Sequence, residues 1–158
     1  MLGWLSGMRI GEIAALSVGD VVAQDGEIRT EIALRASQTK GNEARTVLIN
    51  SQLRGELGVY VKSLSVARMG ATQPLITSKT GKRFSANGLC QLMLRLYDDA
   101  GLDKATSHST RRTFITTLAH KGVNVRVLAY LSGHKSISTT QRYIELNSKV
   151  LRAAVEMV

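Results

Sequence analysis

Ile28-Arg29-Thr30-Glu31-Ile32-Ala33-Leu34-Arg35-Ala36 decides the fold. Ile28, Ile32, Leu34 and Ala36 alternate with Arg29, Glu31, Ala33 and Arg35. Successive side chains of a strand point to opposite faces, so this period of two reads as a half-buried strand. Thr46-Val47-Leu48-Ile49 reads as a second strand, and Lys40-Gly41-Asn42-Glu43 between them is a turn signal. The two runs predict an antiparallel hairpin. A further short strand is expected near Val21 and Val22, or at the start of residues 26–30.

Away from this hairpin the period is that of a helix. Residues 1–5 read as the tail of a helix, and residues 9–16 as a helix with Ile10, Ile13 and Ala14 on one face. From Ser51 onward the spacing stays helical. Leu53, Leu57, Tyr60, Val61 and Leu64 share one stripe. Leu89, Leu92, Met93, Leu96, Tyr97 and Ala100 form the cleanest, stopped by Gly101. Phe114, Ile115, Leu118 and Ala119 form another, stopped by Gly122. Val127, Leu128 and Leu131 follow, and residues 149–158 hold a last apolar stripe. The single proline, Pro74, falls in a polar connection. The expected class is therefore mainly α, with a small antiparallel β-sheet near the amino terminus.

The 158 residues suit one domain, and 44% hydrophobic content suffices for a core. Only 4% are aromatic, so that core must be mostly aliphatic. A net charge of +9 points to a polyanionic partner, or equally to a basic soluble protein that has none. No run reaches the roughly 18 apolar residues of a membrane span. The lone Cys90 permits no internal disulfide and reads as core filler. There is no cysteine pair and no His-Glu-x-x-His, which disfavours a catalytic zinc site. No Gly-rich loop ends in Gly-Lys-Ser/Thr, so nucleotide hydrolysis is unsupported.

Four segments carry the chemistry. Ser6-Gly7-Met8-Arg9-Ile10-Gly11-Glu12 puts an arginine at a helix start, with Glu12 spaced to orient it. Lys40 stands at the hairpin tip, where it could give a proton to an oxygen leaving a phosphate site. His108-Ser109-Thr110-Arg111 spaces an imidazole and a guanidinium by three, on one side of a first helical turn. Arg111 and Arg112 there oppose the helix dipole, a conflict that an anionic ligand removes. Finally, Tyr143 follows His134 by nine residues, at the end of a stretch whose only apolar residue is Ile137. Arginine binds phosphate through a planar fork, histidine moves protons near neutral pH, and tyrosine can be a covalent nucleophile. Tyr60 and Tyr97 lie on apolar faces and read as structural. His120 reads as dressing for a helix carboxyl end.

Taken together and in order, these boxes resemble those of the tyrosine site-specific recombinases, the phage integrase family. The resemblance covers nearly the whole chain. Thr110, Ser132 and Met8 stand where the family commonly has leucine, and none of these changes removes a reacting group. The resemblance implies a catalytic domain over residues 1–158, without the helical DNA-binding domain that usually precedes it. It implies that Tyr143 attacks a scissile DNA phosphate to leave a 3′-phosphotyrosyl link, which a second 5′-hydroxyl then reverses. Arg9, Arg111 and His108 would hold the phosphate oxygens, and Lys40 would protonate the departing 5′-oxygen. Either His134 or His108 would take the phenolic proton. Neither metal nor nucleotide cofactor is implied. The implied partners are double-stranded DNA and further recombinase subunits, a tetramer on paired sites and a monomer alone, in the bacterial cytoplasm. The tail would pack on its own domain or dock on a neighbouring subunit. Two rivals stand beside this reading: a DNA-binding fragment that no longer catalyses, and a type IB topoisomerase.

Overall fold

The computed structural model describes residues 1–65, 69–144, 152, 155 and 156. Near the start of the chain are three short helices, α1 (Leu2–Ser6), α2 (Ile10–Ala15) and α3 (Val18–Val21). A hairpin follows, β1 (Glu31–Leu34) and β2 (Arg45–Leu48), with a 3-10 turn at Ala36–Gln38 between its strands. The rest is helical: α4 (Ser51–Lys62), α5 (Ala86–Asp99), α6 (Ser109–His120), α7 (Val125–Ser132) and α8 (Ile137–Gln141).

The hairpin has the expected alternation. Its strands pair antiparallel, with Ile32 opposite Val47 and Leu34 opposite Arg45. Ile32, Leu34 and Val47 are buried, while Glu31, Ala33, Thr46 and Leu48 face out. The third strand does not form. Asp20 accepts the Ser17 backbone N–H at 2.8 Å, and this reciprocal cap starts α3 over Val21 instead. Only a single bridge, Val22 to Ile28, remains of that expectation.

Helix boundaries follow local capping chemistry. The Asn50 side chain accepts the Leu53 N–H at 2.8 Å and starts α4. Ser85 accepts the Gly88 N–H at 3.0 Å and starts α5, and Asn124 accepts the Arg126 N–H at 2.8 Å and starts α7. The main core packs α2, α4 and the first turn of α5 against the hairpin through Met8, Ile13, Leu16, Ile32, Leu34, Leu53, Leu57 and Leu89. Of the α5 stripe only Leu89 is fully buried; Leu96 is exposed. Cys90 is half-buried. Pro74 bridges to Ser17, and the Tyr60 hydroxyl donates to the Leu75 carbonyl at 2.8 Å. Helix α6 packs on α1 and α7, and α7 on α8. The expected stripe over 149–158 lies, apart from residues 152, 155 and 156, outside the described residues. No helix among the described residues is long and apolar enough to cross a membrane.

Candidate active site

Three arginines from distant parts of the chain converge on one loop. Helix α7 ends at Gly133, whose φ of 61° turns the backbone into the left-handed region and exposes the last carbonyls of the helix. Arg45 donates to the Leu131 carbonyl at 3.2 Å. Arg111 donates to the carbonyl of Ser132, and Arg9 to that of Gly133 at 2.8 Å. Each guanidinium thus takes one of three successive acceptors, immediately before His134.

Each arginine is held by its own element. Arg9 precedes α2, and its backbone N–H donates to Glu12 at 2.8 Å while its Nη1 reaches the same carboxylate at 3.0 Å. Arg45 opens β2 and donates to both oxygens of Glu12, at 3.2 and 2.7 Å. Arg111, on the buried side of α6, also donates to the Gly7 carbonyl. Gly7 has φ 66°, and a Cβ there would stand 2.6 Å from the Phe114 ring. A glycine is therefore required where the Arg9 box meets the Arg111 helix.

The charge balance favours an anion. Glu12 is one carboxylate among three guanidiniums. Burial alone would raise its pKa, but hydrogen bonding and attraction from Arg45, then from Arg9, hold it below the ordinary value. Burial, and next the repulsion of Arg9, bring Arg111 down to about 10. The excess positive charge needs a partner, and a phosphate supplies one.

His134 and Tyr143 complete this cluster. His134 Nδ1 lies 2.8 Å from Oγ1 of the fully buried Thr140, which fixes the ring. Burial, then the charges of Arg111, Arg9 and Arg45, lower His134 to about 4, so its imidazole is neutral at physiological pH. The Tyr143 ring stacks near it, with centroids 6.2 Å apart and planes 18° apart, and the Tyr143 N–H donates to the Thr140 carbonyl at 2.9 Å. A cleft of about 760 Å³ opens beside the cluster, lined among others by Arg9, Lys40, Arg45, Tyr130, His134 and Lys135. Lys135 Nζ pairs with Glu43 at 2.7 Å, tying the hairpin tip to the loop after α7.

Of the six residues singled out in the sequence, Arg9, Arg111, His134 and Tyr143 come together, and Lys40 lines the adjoining cleft. His108 makes no hydrogen bond, ion pair or ring contact with them among the described residues. It caps α6 as an exposed residue, with its backbone N–H 3.3 Å from Thr106 Oγ1. The Ser109 hydroxyl accepts the Thr106 N–H at 2.8 Å. Arg45 is the residue the sequence reading missed. Its signal was parity: it shares the inward face of β2 with Val47, an unusual place for an arginine unless it is paired.

The model of the phage integrase family matches residues 1–149. The chain belongs to this family. The tyrosine recombinase XerC of Herpetosiphon aurantiacus is 30% identical over 147 residues, covering 92% of this chain and 46% of that protein. XerD of Staphylococcus epidermidis is 29% identical over 152 residues, covering 94% and 49%. The chain thus spans about half the length of these relatives. Among solved structures, XerA recombinase superposes with a TM-score of 0.75 at 28% identity, over 99% of this chain and 55% of that one. The Tn1549 transposon integrase, solved with a circular intermediate DNA, has a TM-score of 0.72 at 21% identity, over 99% and 56%, and shares the fold. The chain itself is mostly helical with one two-stranded antiparallel sheet, as its sequence predicted.

Proposed function

We propose that residues 1–158 are the catalytic domain of a site-specific recombinase that cuts and rejoins double-stranded DNA through a 3′-phosphotyrosyl intermediate. The convergence of Arg9, Arg45 and Arg111 on three successive carbonyls beside His134 and Tyr143 carries this reading. A pentacoordinate phosphate has charge on its non-bridging oxygens and needs preorganised donors. Arg9 and Arg111 fill that role, oriented by Glu12, Gly7 and Ser132 rather than by solvent. The exposed His108, one turn before Arg111, adds a hydrogen bond once DNA covers it.

The phenolic oxygen of Tyr143 attacks phosphorus, and its proton passes to His134. With Nδ1 engaged by Thr140, the remaining ring nitrogen is the one available. A phosphate arriving among the arginines offsets their charge and raises the basicity of that imidazole. The bond from phosphorus to the 5′-oxygen breaks, and Lys40 protonates the departing oxygen. A second strand's 5′-hydroxyl then attacks the phosphotyrosyl link and returns the proton inventory to its start. One phosphoester replaces another at each step, so no external energy source is needed. By the same analogy the working unit is an assembly of recombinase subunits on paired DNA sites.

A nicked duplex that loses its 5′-hydroxyl fragment on cleavage traps the intermediate. The chain should form a covalent protein–DNA adduct, stable in denaturant and absent in Tyr143→Phe. Retarded DNA with no adduct would mark a binding module instead. Relaxation of supercoiled plasmid without a specific site would mark a type IB topoisomerase.

A further inference from the structure

Arg111 and Arg112 are adjacent on α6, yet they face different surroundings. Arg111 is buried on the loop carbonyls. Arg112 is exposed, and no carboxylate pairs with it among the described residues. Its guanidinium carbon instead stands 6.0 Å from the centroid of the Tyr143 ring, 31 positions along the chain. A guanidinium at that range is attracted by the negative face of a phenol. The attraction grows as the phenol becomes phenolate, because a full charge replaces a quadrupole.

We infer that Arg112 is a positioning residue for Tyr143: it holds the ring beside His134 and stabilises the charge on the phenolic oxygen as its proton leaves. This rests on the phosphotyrosyl reading above. Arg112 lies over the Tyr143 ring and His134 stacks near it, and Arg111 is close enough for its charge to attract Tyr143. Two of the three are cations and the third is neutral at working pH. Arg112 is the accessible one, and the one not committed to a backbone carbonyl. The division also accounts for the paired arginines at a helix start: one serves the phosphate and the other the nucleophile.

Single-turnover cleavage of the nicked duplex, at saturating protein and from about pH 6 to pH 10, tests this. Arg112→Ala should slow cleavage roughly two- to fivefold near neutrality, the factor an exposed cation–π contact supplies. The deficit should shrink as pH rises, and Arg112→Lys should restore most of the rate. In the free protein with 13C-labelled tyrosine, the Tyr143 ring signals should move toward those of an exposed tyrosine in Arg112→Ala, and much less in Arg112→Lys. Unchanged ring signals, with wild-type rates and pH profile, overturn the inference. So does a defect confined to DNA affinity with the saturated rate intact, which would make Arg112 a phosphate contact. Absence of adduct in the unaltered chain overturns the phosphotyrosyl reading, and the ring signals still report whether Arg112 holds Tyr143.

Discussion

Glu12 is 1% exposed and serves as the anchor of two guanidiniums. Removing one partner of a buried ion pair strands the other, which typically costs about 3 kcal/mol or more. Glu12→Ala should therefore lower the stability measured by urea denaturation by about 3 kcal/mol, and Glu12→Gln, which keeps an acceptor, by less. Equal stability of Glu12→Ala and the parent would show that Arg9 and Arg45 are held by the carbonyls alone. Two residues also give the fold an acid dependence, in separate windows. The folded-state pKa of His134, about 4, lies below its ordinary 6.5, so between these values the unfolded chain takes up a proton that the folded chain refuses. Stability should fall as pH drops through that window. Glu12 is depressed below its ordinary 4.5, so its contribution persists above that value and is lost on further acidification. Thermal midpoints measured across this range should decline from about pH 6.5, and His134→Asn should flatten the upper part of the decline only. An identical decline in that variant would assign the acid response elsewhere.

At the level of elements, the turn that ends α7 matters more than the helix itself. Gly133 adopts φ 61°, and a Cβ there would stand 2.8 Å from the Arg45 side-chain stem. Gly122, after α6, has φ 79° but open space around it. Both substitutions to alanine incur the left-handed penalty of about 1–2 kcal/mol. Only Gly133→Ala must also displace Arg45, so it should destabilise by about 1 kcal/mol beyond Gly122→Ala and depress adduct formation. Equal losses in denaturation and unchanged adduct yield for both would mean that the Arg45 stem yields freely. The same turn shows what the sequence could reveal. The nine-residue interval from His134 to Tyr143 is local, bridged by α8 and the Thr140 contacts, so their proximity was legible in the sequence. Arg45 belongs to the site only through Glu12, 33 residues earlier, and Leu131, 86 residues later. No local pattern encodes such a pairing, and the inward parity of β2 was its single trace. His108 shows the converse: its box was legible, but a helix-start residue points where the neighbouring backbone lets it, and here that is solvent.

For the molecule as a whole, aliphatic periodicity was enough to place the hairpin and the long helices, although α5 fully buries only Leu89 of its stripe. It failed at Val21 and Val22, where a Ser17–Asp20 cap outweighed two β-branched residues, a contest between one hydrogen-bonded turn and a weak strand preference. Charge is the other global property, and it supports a prediction about DNA. The +9 net charge is not evenly usable. Arg9 and Arg45 already share Glu12, and Lys135 already holds Glu43, whereas Lys40 has no ion pair among the described residues. When a duplex enters the cleft, its phosphates compete with those carboxylates, and each contact formed releases a condensed counterion. Four cleft cations meeting four phosphates would give a slope of roughly −3.6 for the logarithm of the binding constant against the logarithm of salt. Lys40→Gln should lower the magnitude of that slope by about 1. Lys62, an exposed residue in the last turn of α4 that does not line the cleft, should leave it unchanged when replaced by glutamine. Fluorescence anisotropy with a short labelled duplex over a salt series measures all three. If both lysine variants lower the slope alike, the charge acts as a diffuse cloud and the cleft is not where the backbone is gripped.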